Sequence, residues 1–231
     1  MTRKVIINKL HLETLEDRTT PSTFAEPVAL SSVNSILDIT FRAHQSTQMI
    51  EVKQAGNIFA AGIPTPVDGF LTYAWTINQG MASNLETTGD TYPSPTLKVN
   101  PSDTLVIRII NELENLSLPG SSTMSFPTNL HTHGLEISPL GNSDNIILSV
   151  APGMQNVFEF HVPSTHEEGT FWYHPHRHEF THEQVYRGLA GLLIIGRANS
   201  GIDQVADFPT RLMVLQNQDI RENPSSGRFE L

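Results

Sequence analysis

The stretch Val157-Phe158-Glu159-Phe160-His161-Val162 alternates apolar and polar side chains from Phe158 onward. Successive residues of a β-strand point to opposite faces, so this pattern predicts a strand with one buried face. Residues 39–44 alternate in the same way, and the apolar run Gly188–Ile195 predicts a strand that is buried on both faces. Turn residues separate these segments, and helical periodicity is nearly absent. The sequence therefore predicts an all-β fold, a sandwich or barrel.

Charge and hydropathy exclude two classes of protein, those that bind nucleic acid and those that span a membrane. The chain has 231 residues, with 14 basic and 24 acidic side chains and a formal net charge of −10. Nucleic-acid binding depends on Lys and Arg that displace counterions from phosphates, so nucleic acid is not an expected partner. No apolar run reaches the ~18 to 20 residues of a membrane-spanning helix, so no membrane span is expected.

The chain contains no Cys. This composition excludes disulfides, Cys nucleophiles, zinc–thiolate sites, iron–sulfur clusters and a blue-copper centre with a Cys ligand. Any metal chemistry must therefore use imidazole and carboxylate ligands.

Histidines are concentrated in two His-x-His pairs, His131-Thr132-His133 and His174-Pro175-His176. On a strand, residues i and i+2 share a face, so each pair presents two imidazoles side by side to a metal. The pairs have three simpler interpretations: solvated histidines, a cupin metal site, and a three-His zinc site completed by His161. The cupin spacing fits Glu136 poorly, and alternation places His161 on the polar face of its strand. Two pairs together favour a metal site.

Three ordered motifs carry a family resemblance. Residues 129–134, 169–176 and 188–195 resemble the N-terminal plastocyanin-like domain of multicopper oxidases, which include laccases and copper-efflux oxidases. The resemblance runs from about Ile36 to Arg197. It implies a cupredoxin-like Greek-key β-sandwich, in agreement with the alternating pattern.

The resemblance also implies a cofactor and its ligands. In that family such residues bind copper, with His131 as a type 2 ligand and His133, His174 and His176 as type 3 ligands. It implies an acidic residue near the first pair that orients water and relays protons, for which Asp144 is the candidate and Glu136 a weaker one. Asp144 could equally be a turn residue.

Other aromatic and histidine side chains receive simpler interpretations. His178 is expected at the rim of the site without copper. His44, His166 and His182 are expected to be solvated. Trp172 is expected to pack around the metal site rather than to carry electrons.

The expected organisation has three parts: a tail at residues 1–35, the plastocyanin-like domain at 36–197, and a linker at 198–231 that holds the first strand of a truncated second cupredoxin domain. That strand is predicted at residues 211–216. In the resembling family the type 1 copper lies in a C-terminal domain. We therefore expect half of a cluster that reduces O2 to water, inactive unless a C-terminal domain or partner chain completes it and admits electrons from a reducing substrate. The alternative is a copper-binding or copper-sequestering β-domain without catalysis, or an inactive remnant.

Export to the periplasm or outside the cell is also expected. Residues 15–21 resemble a segment found near the start of many exported bacterial proteins, although the apolar run before them is too short for a conventional signal peptide.

Overall fold

The structure is a computed structural model that describes residues 26–52, 62–78, 88–114, 125–197 and 211–231. The expected export-related segment at residues 15–21 lies outside these ranges. In the described parts of the chain, twelve strands and one short helix follow one another: β1 (Ala29–Ser31), β2 (Ile36–Val52), β3 (Ile63–Ile77), β4 (Thr88–Asp90), β5 (Thr96–Val99), β6 (Thr104–Asn111), β7 (His131–His133), β8 (Gln155–His161), β9 (Gly169–His174), α1 (Thr181–Tyr186), β10 (Gly191–Ile195), β11 (Arg221–Glu222) and β12 (Phe229–Glu230).

The strands form two sheets. One sheet has the order β1-β5-β10-β9-β7, and the other has the order β11-β12-β3-β2-β6-β8, with β4 paired to β3. Strand β5 pairs in parallel with both β1 and β10, so neighbours in the sheet are distant in the chain. The predicted all-β, cupredoxin-like class is confirmed.

The core lies between the inward faces of the sheets. Phe41 of β2 stacks on Tyr73 of β3 with ring centroids 4.8 Å apart, and on Tyr173 of β9 at 5.7 Å. All three side chains are fully buried. In β8, Phe158 and Phe160 are buried whereas Glu159 and His161 are exposed, as the alternation predicted. The ring of Tyr173 therefore anchors β9, which ends at His174, to the core.

The first strand changes the N-terminal boundary. Residues of β1 pair with β5 from Ala29↔Thr96 to Ser31↔Lys98. The sandwich thus begins before residue 36, and the last part of the predicted tail belongs to it.

The strand predicted at residues 211–216 is not a regular strand, because these residues form no ladder with any strand that the structure describes. Their alternation is real, since Leu212 is buried whereas Met213 and Leu215 are exposed. An alternating pattern favours an extended chain, but a strand also needs a hydrogen-bonded neighbour. Strand β12, farther along the chain, has such a neighbour and pairs in parallel with β3.

Helix α1 has no capping box, although Thr181 and Gln184 have the spacing of one. Phe180 is the N-cap and has no side-chain cap bond, while the Thr181 hydroxyl donates to the Arg177 carbonyl. The Gln184 carboxamide instead bonds Thr128 and Pro127 in the interior. None of the helices in the described residues is long and apolar enough to cross a membrane.

Candidate metal centre

The two His-x-His pairs meet at one edge of the five-stranded sheet. Strand β7 is the edge strand, and it pairs antiparallel with β9 in a register that places His131 opposite His174 and His133 opposite Trp172. Between the two histidines of β7, Thr132 is buried. Both imidazoles therefore project from the opposite face, as the period of two requires.

The chain turns immediately after the first pair. Gly134 has φ +89°, a backbone conformation that residues with a side chain rarely adopt. A Cβ at this position would lie 3.2 Å from a ring carbon of Phe171. Glycine is the residue that tolerates this turn. It allows β7 to end at His133 and the chain to leave the sheet edge.

Four imidazoles converge at this edge. The ring centroid of His131 lies 5.7 Å from that of His133, 5.3 Å from His174 and 5.1 Å from His176. One ring nitrogen from each of His131, His133 and His174 lies within 4.8 Å of the other two. His176 is outside that tighter group, although its centroid is 5.9 Å from that of His174.

Hydrogen bonds assign the protons on two of these rings. His131 Nδ1 lies 2.9 Å from Asp144 Oδ1, and His174 Nδ1 lies 2.8 Å from the Pro175 carbonyl oxygen. Because carboxylate and carbonyl oxygens only accept, both Nδ1 atoms carry the proton. The Nε2 lone pairs of both rings are left for a metal, and His174 Nε2 lies 3.4 Å from His133 Nδ1.

Burial keeps the ring of His174 uncharged. Desolvation, reinforced by the neighbouring imidazoles, lowers the pKa of His174 to about 4, against the opposing hydrogen bond to Pro175. Its ring is therefore neutral at pH 7, the form that binds metals. His176 Nδ1 is buried and has no hydrogen-bond partner within the described part of the chain. Burying a polar nitrogen without a hydrogen bond costs free energy, unless a ligand such as a metal ion or water binds it.

Asp144 contacts the first pair directly. Its Oδ1 accepts both the His131 Nδ1–H and the Thr132 backbone N–H, each at 2.9 Å. Both side chains are largely shielded, with 12% of Asp144 and 19% of His131 exposed. The alternative candidate Glu136 is exposed, and its backbone N–H donates instead to His166.

The remaining histidines divide as follows. His178 is exposed, with its ring centroid 6.2 Å from that of His176, and His182 is also exposed. His44 is half-buried, with Nε2 3.2 Å from Asp90 Oδ2. The expectation that His166 is solvated is wrong, because only 6% of it is exposed.

His166 is buried by contacts with residues both near to it and distant from it in sequence. Its Nδ1–H donates to the Glu167 carbonyl at 2.7 Å, and its Nε2 accepts the Glu136 N–H at 3.1 Å. Its ring also meets the edge of Phe171. The sequence signal was the cluster of six histidines between His161 and His182, which gave no indication of which of them was buried.

Trp172 packs against two candidate ligands. Its ring stacks on His174 at a centroid distance of 4.0 Å and on His133 at 4.9 Å. This arrangement matches the expected packing role, in which a flat aromatic surface restricts both imidazoles.

Comparison with known proteins identifies a family. The family model described as multicopper oxidase matches residues 71–200, more than half of the chain. The multicopper oxidase mco of Staphylococcus aureus is 37% identical over 103 residues, which cover 44% of this chain and 20% of that protein. Laccase-5 of Trametes versicolor is 26% identical over 177 residues, which cover 74% of this chain and 31% of the laccase.

A solved structure shows the same fold. The multicopper oxidase of Campylobacter jejuni, described as a metallo-oxidase, superposes with a TM-score of 0.50 at 22% identity, covering 76% of this chain and 29% of that one. The chain thus spans about a fifth to a third of the length of these relatives.

Proposed function

The chain belongs to the multicopper oxidase family, and from this premise we propose that it provides half of a type 2/type 3 copper cluster at which O2 is reduced to water. The observation that carries the proposal is the convergence of the four imidazoles at the β7–β9 edge. His131 would hold the type 2 copper. His133, His174 and His176 would hold the type 3 pair.

The donor set fits copper. Imidazole suits Cu(II), which binds N and O sites more tightly than the other divalent first-row metals. Three features are those expected of ligands for a cation: the Nε2 lone pairs of His131 and His174, the neutral His174 ring, and the buried His176 Nδ1, which has no hydrogen-bond partner among the described residues. Copper bound at this edge would supply one-electron redox chemistry and coordination of dioxygen.

The protein's own groups would orient this chemistry. The Asp144 carboxylate holds His131 in the Nδ1–H tautomer, so that Nε2 is free for the metal. The same carboxylate would orient water and pass protons to the cluster. Trp172 would limit rotation of His133 and His174.

Electrons must enter through another segment or chain. The 231 residues contain no Cys and therefore no type 1 thiolate. We therefore propose that catalysis requires a C-terminal cupredoxin domain, which would also carry the docking site for the reducing substrate. By itself the domain would bind copper without turnover. The lack of Cys also favours the second candidate, a copper-binding or copper-sequestering domain without catalysis.

Export remains part of the proposal. It rests on the resemblance of residues 15–21 to a segment of exported proteins. A reporter enzyme fused to this chain should be active outside the cytoplasm in the native host, and activity confined to the cytoplasm would contradict export.

Copper titration tests the function. The native chain is titrated with Cu(II) beside a variant in which His131, His133, His174 and His176 are all changed to Ala, and a control with His44→Ala and His161→Ala, two histidines outside the cluster. We expect the native chain and the control to bind copper tightly and the cluster variant to lose binding. Equal binding by all three proteins would overturn the site.

An oxidase assay separates the two candidates. The copper-loaded chain should not oxidise a diphenol alone. Oxygen consumption on addition of a separately produced C-terminal cupredoxin domain from a relative would support the half-cluster. Copper binding without such recovery, with every C-terminal domain tested, would leave the non-catalytic module.

A further inference from the structure

The second histidine pair is held to the first by little backbone pairing. Strand β7 has only three residues, and its ladder with β9 runs from His131↔His174 to His133↔Trp172. His176 lies two residues beyond the end of β9 and has no partner in that ladder. Some other contact must fix its position relative to His131.

Asn129 supplies that contact. Its Oδ1 accepts the backbone N–H of His176 at 2.6 Å, and its Nδ2 donates to the carbonyl oxygens of Ile146 at 2.9 Å and Leu148 at 3.1 Å. The side chain is fully buried. The two carbonyl oxygens can only accept, so they face the NH2 group, and the His176 N–H can only donate, so it faces Oδ1. These roles determine the orientation of the carboxamide.

The same carboxamide reaches the loop that carries Asp144. Ile146 and Leu148 follow Asp144 closely, and Asp144 accepts the His131 Nδ1–H. Asn129 itself lies two residues before His131. One side chain therefore connects the start of β7, the His176 backbone and the loop of the carboxylate that orients His131.

A second buried amide supports this arrangement from behind. The Gln184 carboxamide of α1, which is fully buried, accepts the Thr128 hydroxyl at 2.7 Å and donates to the Pro127 carbonyl at 2.9 Å. Residue 128 is also bridged to Val150 through backbone bonds of 3.0 and 2.7 Å. Gln184 and Val150 thus hold the two residues that precede Asn129.

We infer that Asn129 is the positioning residue that sets the separation of the two His-x-His pairs, and hence the copper geometry of the site. The inference rests on the proposed function. Asn129 does not touch the metal; it acts through His176 and through the Asp144 loop. A change at such a supporting group typically weakens metal affinity ~10- to 100-fold.

The chain offers a matched control in Asn111. Asn111 is also fully buried and also makes three bonds: Nδ2 donates to the Phe126 and Val150 carbonyls at 2.8 Å each, and Oδ1 accepts the Leu113 N–H at 2.9 Å. None of these bonds reaches a candidate ligand or Asp144. Asn129→Ala and Asn111→Ala should therefore cost the fold similar stability but differ at the metal.

The experiment compares Cu(II) affinity, the Cu(II) electron paramagnetic resonance spectrum and the melting temperature of the metal-free form. We expect both variants to melt lower than the native chain. Only Asn129→Ala should lose ~10- to 100-fold in affinity and show changed copper hyperfine splitting. Native affinity and spectrum in a folded Asn129→Ala would overturn the positioning role and leave the proposed function intact. Failure of the native chain to bind copper would overturn the proposed function and this inference with it.

If Asn129→Ala does not fold, amide hydrogen exchange of the native chain tests the bond between Asn129 and the His176 amide instead. In the native metal-free chain the His176 amide should be protected, although it lies outside the β-ladder. Exchange of that amide as fast as in an exposed loop would show that the bond to Asn129 is not formed, and would overturn the inference.

Discussion

Replacing Asp144 by Asn tests how far the carboxylate tunes His131. The amide has nearly the same shape as the carboxylate, and its oxygen can still accept from His131 Nδ1 and Thr132 N, each now 2.9 Å away. The substitution therefore removes charge while largely preserving contacts. Copper on Nε2 withdraws electrons from the ring and makes Nδ1–H a stronger donor, so the negative charge stabilises the metal-bound form more than the metal-free form.

The magnitude follows from burial and bond type. With 12% of the Asp144 side chain and 19% of the His131 side chain exposed, solvent screens their interaction only partly. A hydrogen bond to a charged group contributes ~1.5 to 3 kcal/mol and is roughly twice as strong as a neutral one. Losing half of that contribution weakens copper binding by ~0.75 to 1.5 kcal/mol, which is ~3- to 12-fold. Asp144→Ala removes both bonds and should approach ~100-fold.

The assay is competition of each protein with a chelator of known Cu(II) affinity at pH 7. The control is Glu159→Gln, which makes the same change from acid to amide at a carboxylate 3.1 Å from His161, outside the cluster. Copper affinity within twofold of the native value for Asp144→Asn would refute the reasoning. So would an equal loss for Glu159→Gln, because the effect would then reflect net charge alone.

Two further predictions concern the fold around the site. Burial alone would raise the pKa of Asp103, but hydrogen bonds from Ser32 Oγ at 2.6 Å and from the Asn100 N–H at 2.8 Å outweigh it and hold the pKa below its ordinary value. The stabilisation is complete above the ordinary carboxyl pKa of ~4 and is lost as the pH falls through the lower folded-state pKa. Urea unfolding should accordingly show Asp103→Asn less stable than the native chain at pH 7, with the difference shrinking in acid; a difference independent of pH would contradict this. His166→Ala leaves the Glu136 N–H without its acceptor and should lower the free energy of unfolding by ~1 to 3 kcal/mol, whereas an unchanged urea midpoint would show that the bond does not stabilise the fold.

Local patterns predicted much of the molecule. Alternation identified β8 and the core part of β2, because the projection of side chains from a strand depends only on the backbone of neighbouring residues. The same local rule placed the two imidazoles of the first His-x-His pair on one face of β7, whereas His176 lies beyond the end of β9. The Gly188–Ile195 segment was predicted less accurately. Its regular strand begins only at Gly191. Gly188 instead ends the helical segment: its φ is +121°, and a Cβ at this position would lie 2.9 Å from the Leu71 carbonyl oxygen.

Features that depend on distant partners could not be predicted in this way. Residues 211–216 have the alternation of a strand but pair with no strand of the described residues. His166 is polar yet buried, because its Nε2 accepts the Glu136 N–H and its ring packs against Phe171.

The sequence by itself determined an all-β chain with two pairs of metal-competent histidines and no thiolate, since these follow from composition and from the period of a strand. Only the tertiary structure decided that His131 faces His174, that Asp144 accepts from His131, and that Asn129 connects the two pairs. Those contacts join residues 13 or more positions apart. Their formation depends on strand register and loop path, which the packed core fixes and which no local pattern specifies.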